Sequence, residues 1–445
     1  MARRRKKNNL PTDPVELTID GISHDGRGVG HIEGKTVFVD GALPGEQVQF
    51  LYTSKRSKLD EGRAVEIISS SPQRVDPRCA QALLCGGCSL QHMSTEGQIT
   101  MKNDVLMEQL AHFGGQKPEQ VLEPMVGPLF GYRRKARLGV KYVEKKGAVL
   151  VGFREKRNSF LAEIDQCHVL TPEVGLAFPD LKALIYGLQN RTVIPQIEVA
   201  KGDDAVAIIV RHLEPLGDQD INQLLEFCKQ RQLHLYLQPG GNDTVHKIWP
   251  EDNLQRLSYG LPRYNLDMRF HPNDFTQVNQ EINQKMIDRA LELMDLQPED
   301  RVLDLFCGLG NFTLPMARTA ATVVGVEGDE AMVERGRENA LHNDVSNVEF
   351  YGADLTRDFD NQPWAKSGFN KILIDPPRSG ALEIVTKMTV FKPQRIVYVS
   401  CNPATLARDA GELKKQGYRL LKAGVMDMFP HTTHVESIAL FEPEH

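Results

Sequence analysis

Arg301-Val302-Leu303-Asp304-Leu305-Phe306-Cys307-Gly308-Leu309-Gly310 decides the fold. An apolar run that empties into a Gly-x-Gly turn reads as a buried strand handing over to a helix. Glycines 308 and 310 let the backbone approach a ligand closely, and the helix after Asn311 points its N-terminus at that ligand. The next apolar run, Thr322-Val323-Val324-Gly325-Val326, ends in Glu327, 23 residues after Asp304. That spacing suits an acid gripping a ribose diol.

From about residue 271 the pattern alternates. Residues 278–295 read as an amphipathic helix with Ile282, Met286, Ala290, Leu291 and Met294 on one face. Strands are predicted at 301–306, 321–327, 347–351, 370–375 and 395–400, with helical stretches between most of them. Two more follow near 419–426 and 435–441. This is the signature of a doubly wound, Rossmann-like α/β sheet, whose ligands bind beyond the carboxyl ends of the strands. Two further strand ends then matter: Asp375-Pro376-Pro377-Arg378 and Ser400-Cys401-Asn402-Pro403. If the strands are parallel, a lone cysteine stands beside a bound cofactor.

A dinucleotide site would share part of this logic, but Thr313 stands where the third glycine of G-x-G-x-x-G belongs. Asp304 before the turn, Glu327 after the second strand and Asp354 after the third favour S-adenosylmethionine over NAD. An Asp-Pro-Pro followed by an aromatic residue would suit N-methylation. Arg378 occupies that place and speaks against it. Methylating the C5 carbon of a pyrimidine has different needs. A thiolate adds to C6, C5 becomes enolate-like and takes the methyl, and a base then removes the C5 proton. Cys401 is placed for the first role. Glu436 is the nearest candidate base by topology, with His431 and His434 as competitors that could instead cap or pack.

The remainder of the chain supplies other parts. Residues 1–11 read as disordered. Residues 12–70 alternate, as in Val15-Glu16-Leu17-Thr18-Ile19-Asp20, with glycines 21, 26, 28, 30, 34, 41 and 45 as turn signals. They predict a small β-barrel. Residues 97–113 read as a helix with Ile99, Val105, Leu106, Leu110 and Phe113 on apolar positions, a candidate to pack on the catalytic domain. Residues 130–265 are strand-rich, with one helix near 218–231. Net charge is −6, which alone argues against nucleic acid. Residues 131–160, however, hold ten Lys/Arg against two acids, with Tyr132, Tyr142, Phe153 and Phe160 interleaved. Such a mixture suits RNA with unpaired bases, or else a solvated hairpin face. No apolar stretch approaches the roughly 20 residues that cross a membrane. The basic start, Met1 to Lys7, lacks the apolar run of a secretory signal. A cytoplasmic protein is expected.

Seven cysteines and no export signal argue against a disulfide framework. Cys79, Cys85, Cys88 and the remote Cys167 make a four-thiolate set able to hold zinc or a [4Fe–4S] cluster, and three clustered cysteines plus one distant favour iron–sulfur. Cys228 and Cys307 read as packing residues.

Together these motifs resemble the RNA uracil-C5 methyltransferase family along the whole chain. Cys79-x5-Cys85-Gly-Gly-Cys88 with Cys167 is similar to its [4Fe–4S] ligands. Residues 12–70, with Gly26-Arg27-Gly28-Val29-Gly30, look like a TRAM domain, an RNA-binding barrel. Ser400-Cys401-Asn402-Pro403 resembles the nucleophile motif, and His434-Val435-Glu436 the segment carrying the general base. The resemblance implies S-adenosylmethionine contacts from Gln277, Phe306, Asn311, Glu327, Asp354 and Asp375. Barrel and cluster together resemble the members acting on 23S rRNA, at a uridine of the position-1939 type. The implied layout is a TRAM barrel at 12–70, an iron–sulfur domain with a basic RNA-binding surface at 71–270, and a methyltransferase domain at 271–445. No obligatory protein partner is evident. An RNA cytosine-C5 methyltransferase and a non-catalytic rRNA assembly factor are the alternatives.

Overall fold

The protein is described by a computed structural model covering residues 10–252, 255–357, 359, 361–366 and 368–444. Most of the stretch 1–11, expected to be disordered, lies outside the described residues. The chain divides into two compact units. One comprises residues up to 101 with 154–162 and 429–433, and the other holds 102–153, 163–428 and 434–445.

In the first unit, six strands between Val15 and Ser69 form a curled sheet in the spatial order 15–18, 47–55, 59–69, 35–40, 28–32, 21–22. Its far ends meet, since the Asp20 N–H donates to the Val29 carbonyl at 2.7 Å. Leu17, Ile19, Val37, Val39, Ala42, Val48 and Phe50 fill the inside. Glycines 28 and 30, expected in turns, lie inside the strand Gly28–Ile32. The reason is space: a Cβ on Gly30 would stand 2.4 Å from the Thr18 carbonyl oxygen. A barrel this narrow has no room there for a side chain.

The second unit carries two main sheets. One is mixed, ordered 246–249, 233–238, 206–211, 196–201, 135–143, 148–152. Its strand 135–143 carries Lys135, Arg137 and Lys141 of the basic segment, and most of the other charges flank its last two strands. Much of that charge is paired: Arg134 with Asp203, Arg137 with Glu198 (3.0 Å) and Lys146 with Glu163 (2.8 Å).

The other sheet has eight strands in the order 348–352, 322–327, 301–305, 371–374, 395–400, 436–443, 418–426, 120–121. The strands from 348–352 to 395–400 run parallel, and Glu436–Pro443 is inserted antiparallel between Arg395–Ser400 and Tyr418–Met426. Strand order reverses direction on either side of Arg301–Leu305, which opens the crevice at that strand's carboxyl end. The short strand Gln120–Val121 was not anticipated. It joins Tyr418–Met426 in parallel, and just before it the Gln116 side chain donates to the Ala410 carbonyl and accepts from Leu420 N–H.

The helix expected at 97–113 is Thr95–His112, followed by Gly114-Gly115. Phe113 falls beyond its end and is 70% exposed, so its apolar role is corrected. The buried stripe is instead Gln98, Met101, Lys102, Leu106 and Leu110.

Candidate active site

The glycine turn follows from local sterics. Phe306 adopts φ +64°, and Gly308 and Gly310 adopt +54° and +94°. For a residue with a Cβ this left-handed region costs about 1–2 kcal/mol, so Phe306 is held by its neighbours. Its N–H and that of Cys307 both donate to the Val326 carbonyl, at 2.9 and 3.1 Å. Gly308 N–H donates to Glu327 Oε2 at 3.1 Å, while Glu327 Oε1 accepts from Gly328 and Asp329. Glu327 therefore stiffens the turn, through the backbone, beside the crevice it borders.

Asp304 is buried beneath the turn. Thr313 Oγ1 donates to its Oδ2 at 2.5 Å, while Oδ1 has no hydrogen-bond partner. Burial first, then the charges of Asp375 and Glu327, push its carboxyl up to about 8. Asp375, closing the strand Lys371–Ile374, is pushed up to about 7 by burial and Glu327. Three mutually repelling carboxyls, one with an open acceptor, are a setting that a cationic ligand would relieve. Asp354 sits one residue past the backbone bond from Ala353 N–H to Glu327 and is exposed. Hydrogen bonds from Thr356 hold its carboxyl below the usual range.

Asn311 exchanges bonds with Asn283 (2.9 and 3.1 Å) and accepts from Tyr259 Oη (2.8 Å). This fixes the start of the helical region after the turn against the helix Gln280–Met294. Neither Asn283 nor Tyr259 carried a motif. Gln277 lies half-buried in the irregular stretch before Asn279, which caps that helix by accepting from Ile282 N–H. Phe275 beside it is 71% exposed, the setting of a ring that meets something other than its own core.

Cys401 follows directly on the strand Arg395–Ser400. Asn402 caps the helix Pro403–Lys415 through Ala404 N–H and donates to the Arg378 carbonyl at 3.0 Å. The cysteine is thus pinned between a strand end and a helix start. Ser400 faces Ser437 in register, so Glu436 arrives at the same edge from the antiparallel strand. Burial, then Glu436 and Asp375, push the Cys401 thiol up to about 11, while Arg378 pulls it down. Burial and Asp375 push Glu436 up to about 8, against Arg378 and Lys102. Cys401, Glu436, Asp375 and Arg378 therefore act on one another within a single crevice.

The competing histidines separate from Glu436. Arg378 Nη2 lies 2.6 Å from His434 Nδ1, and burial followed by the charges of Arg378, Lys102 and Arg133 pushes that imidazole down to about 4. It is a poor proton acceptor. His431 belongs to the first unit, where its N–H donates to Gln98 Oε1 at 2.8 Å and its carbonyl accepts from Ser89 and Leu90.

Cys79, Cys85 and Cys88 lie in the first unit and Cys167 in the second. Cys85 and Cys88 are buried, Gly87 N–H points at Cys85 Sγ at 3.4 Å, and Cys85 and Cys88 both act on the half-buried Lys156. Among the described residues, no group of three or more His, Cys, Asp or Glu side chains converges to hold a metal ion, so the expected cluster is not shown by side-chain placement. Cys228 and Cys307 are buried thiols, each pushed up mainly by burial.

A parallel sheet with a glycine turn, clustered carboxyls and a strand-end cysteine defines a Rossmann-like methyltransferase. Residues 96–443 match the family model described as tRNA (Uracil-5-)-methyltransferase, and residues 13–50 match the TRAM domain. The chain belongs to this uracil-5-methyltransferase family. It is 59% identical over 442 residues to the 23S rRNA (uracil(1939)-C(5))-methyltransferase RlmD of Alcanivorax borkumensis, covering 99% of each chain. Against the protein of the same name from Hahella chejuensis it is 55% identical, covering 99% of this chain and 100% of that one. The crystal structure of Pyrococcus abyssi tRNA (uracil-54, C5)-methyltransferase in complex with S-adenosyl-L-homocysteine is similar at a TM-score of 0.72 and 25% identity, over 96% of this chain and 100% of that one. Among the described residues no helix is long and apolar enough to cross a membrane.

Proposed function

We propose that the protein transfers a methyl group from S-adenosylmethionine to C5 of one uridine in 23S rRNA, of the position-1939 type, in the cytoplasm. The observation that carries this is the meeting of Cys401 and Glu436 at one sheet edge, beside the carboxyl-lined glycine turn. The names of the full-length relatives supply the substrate class.

Gln277, Phe306, Asn311, Glu327, Asp354 and Asp375 hold the methyl donor in this reading, and the open Oδ1 of Asp304 together with the repelling carboxyls fits its positive charge. Bound S-adenosylmethionine supplies an electrophilic methyl. Cys401 Sγ adds to C6, and the electron pair displaced from the C5–C6 double bond lets C5 take that methyl. Glu436 then accepts the C5 proton, the double bond reforms and the thiolate departs. The target base must leave its stack to reach such a crevice. The TRAM barrel and the basic segment in the central region, 71–270, hold the flanking RNA, with 271–445 as the catalytic part.

Cys79, Cys85, Cys88 and Cys167 would hold a [4Fe–4S] cluster in a structural role. An N–H directed at Cys85 and the charge of Lys156 near Cys85 and Cys88 favour thiolates at those two positions. The test of the function is transfer of a labelled methyl onto unmodified 23S rRNA, with the modified nucleotide mapped. Label on a cytidine, or none at all, would remove this reading.

A further inference from the structure

Lys102 is the one charged member of the buried stripe, four residues before Leu106 and eight before Leu110. It is fully buried, and its Nζ lies 2.6 Å from Asp427, itself 1% exposed. A buried pair of this kind is a weak way to stabilise a fold, because desolvating both ions offsets most of their attraction. Its placement suggests another use. Asp427 directly follows the strand Tyr418–Met426, and Met426 is the register partner of Glu436. The pair is therefore anchored behind the strand end that delivers Glu436 to the crevice.

We propose that Lys102, held by Asp427, is a positioning residue that eases the ionisation of Glu436 needed for removal of the C5 proton. This rests on Glu436 being the base. The charged and titratable groups that act on Glu436 are Cys401 and Asp375 from the parallel strands, Arg378 from the following loop and Lys102 from the helix, with Asp427 paired to Lys102 and His434 to Arg378. Asp375 opposes ionisation of Glu436, while Arg378 and Lys102 favour it. Arg378 is engaged with His434 and is exposed to solvent, which screens it. Lys102 is fully buried and so is shielded from bulk solvent.

The experiment follows decay of the covalent enzyme–RNA adduct against pH, in the full-length protein with S-adenosylmethionine and an unmodified 23S rRNA fragment. Lys102→Met is expected to move the acid limb of decay upward by roughly 1 pH unit, about tenfold slower below the limb, with the rate recovered at high pH. Lys102→Arg is expected to restore the original profile. If Lys102→Met does not fold, Lys102→Met with Asp427→Leu replaces the pair by apolar groups and is expected to give a smaller shift in the same direction. A folded variant with an unchanged profile, or one slowed equally at every pH, overturns the proposal. Glu436→Gln separates the two readings. If it traps adduct while Lys102→Met behaves as wild type, only the role of Lys102 falls. If it traps none, both fall.

Discussion

Ser400 and Ser437 face each other across an antiparallel pair, with Ser437 Oγ 3.4 Å from the Ser400 carbonyl oxygen. Cys401 leaves one strand where Glu436 enters the other. The juxtaposition of the proposed nucleophile and base is thus set by strand register, which a one-residue slip would destroy.

Cys401→Ala is expected to reduce methyl transfer by several orders of magnitude, because no other described group replaces sulfur at that strand end. Loss of the nucleophile should leave binding of S-adenosylmethionine intact, which calorimetry can check. Retained turnover would show that catalysis is not covalent.

Glu436→Gln should allow addition and methylation but block proton removal. An enzyme–RNA species should then survive denaturing electrophoresis and carry the labelled methyl. Its absence would assign the base elsewhere, although His434, with its imidazole pushed down to about 4, is a poor substitute.

Stability should fall as pH rises. Asp304, Asp375 and Glu436 titrate near 8, 7 and 8 in the folded chain, against about 4 when unfolded. Between those values the folded state binds more protons than the unfolded one, so ΔG of unfolding declines across about pH 4 to 8. Thermal melts of the ligand-free protein test this through Glu436→Gln, which should raise Tm more at pH 8 than at pH 5. Equal shifts at both would refute the buried-carboxyl account.

Gly30→Ala should destabilise the barrel by about 1–3 kcal/mol, the usual cost of forcing atoms into a filled space. The added methyl would sit 2.4 Å from the Thr18 carbonyl. Denaturant titration of the variant reads this directly, and an unchanged midpoint would mean the strands can part freely.

Anaerobically purified protein should show broad absorption reaching into visible blue light, lost on chelation or in Cys85→Ser. A colourless preparation containing zinc would replace iron–sulfur by zinc at those thiols.

Periodicity made the catalytic sheet legible. The run 395–400 and the helix 218–230 stand within a residue of their expected bounds, since buried parallel strands and amphipathic helices write themselves as apolar patterns. Cys401 and Asp375 were visible because each closes such a run. Three features were not. Gly28 and Gly30 signalled turns, yet barrel curvature demanded glycine within a strand. Asn283 and Tyr259 reach Asn311 across 28 and 52 positions of sequence, a relation no local pattern encodes. Lys102 did leave a trace, a charge four residues before Leu106 and eight before Leu110, but only burial distinguishes it from a surface lysine.

Glu436–Pro443 is threaded between two strands made earlier. While the chain is still being synthesised, Arg395–Ser400 and Tyr418–Met426 each keep an open hydrogen-bonding edge until residue 443 emerges from the exit tunnel. Glu436 arrives with that insertion, so in the proposed mechanism the carboxyl-lined glycine turn is made before the base that would release a modified uridine.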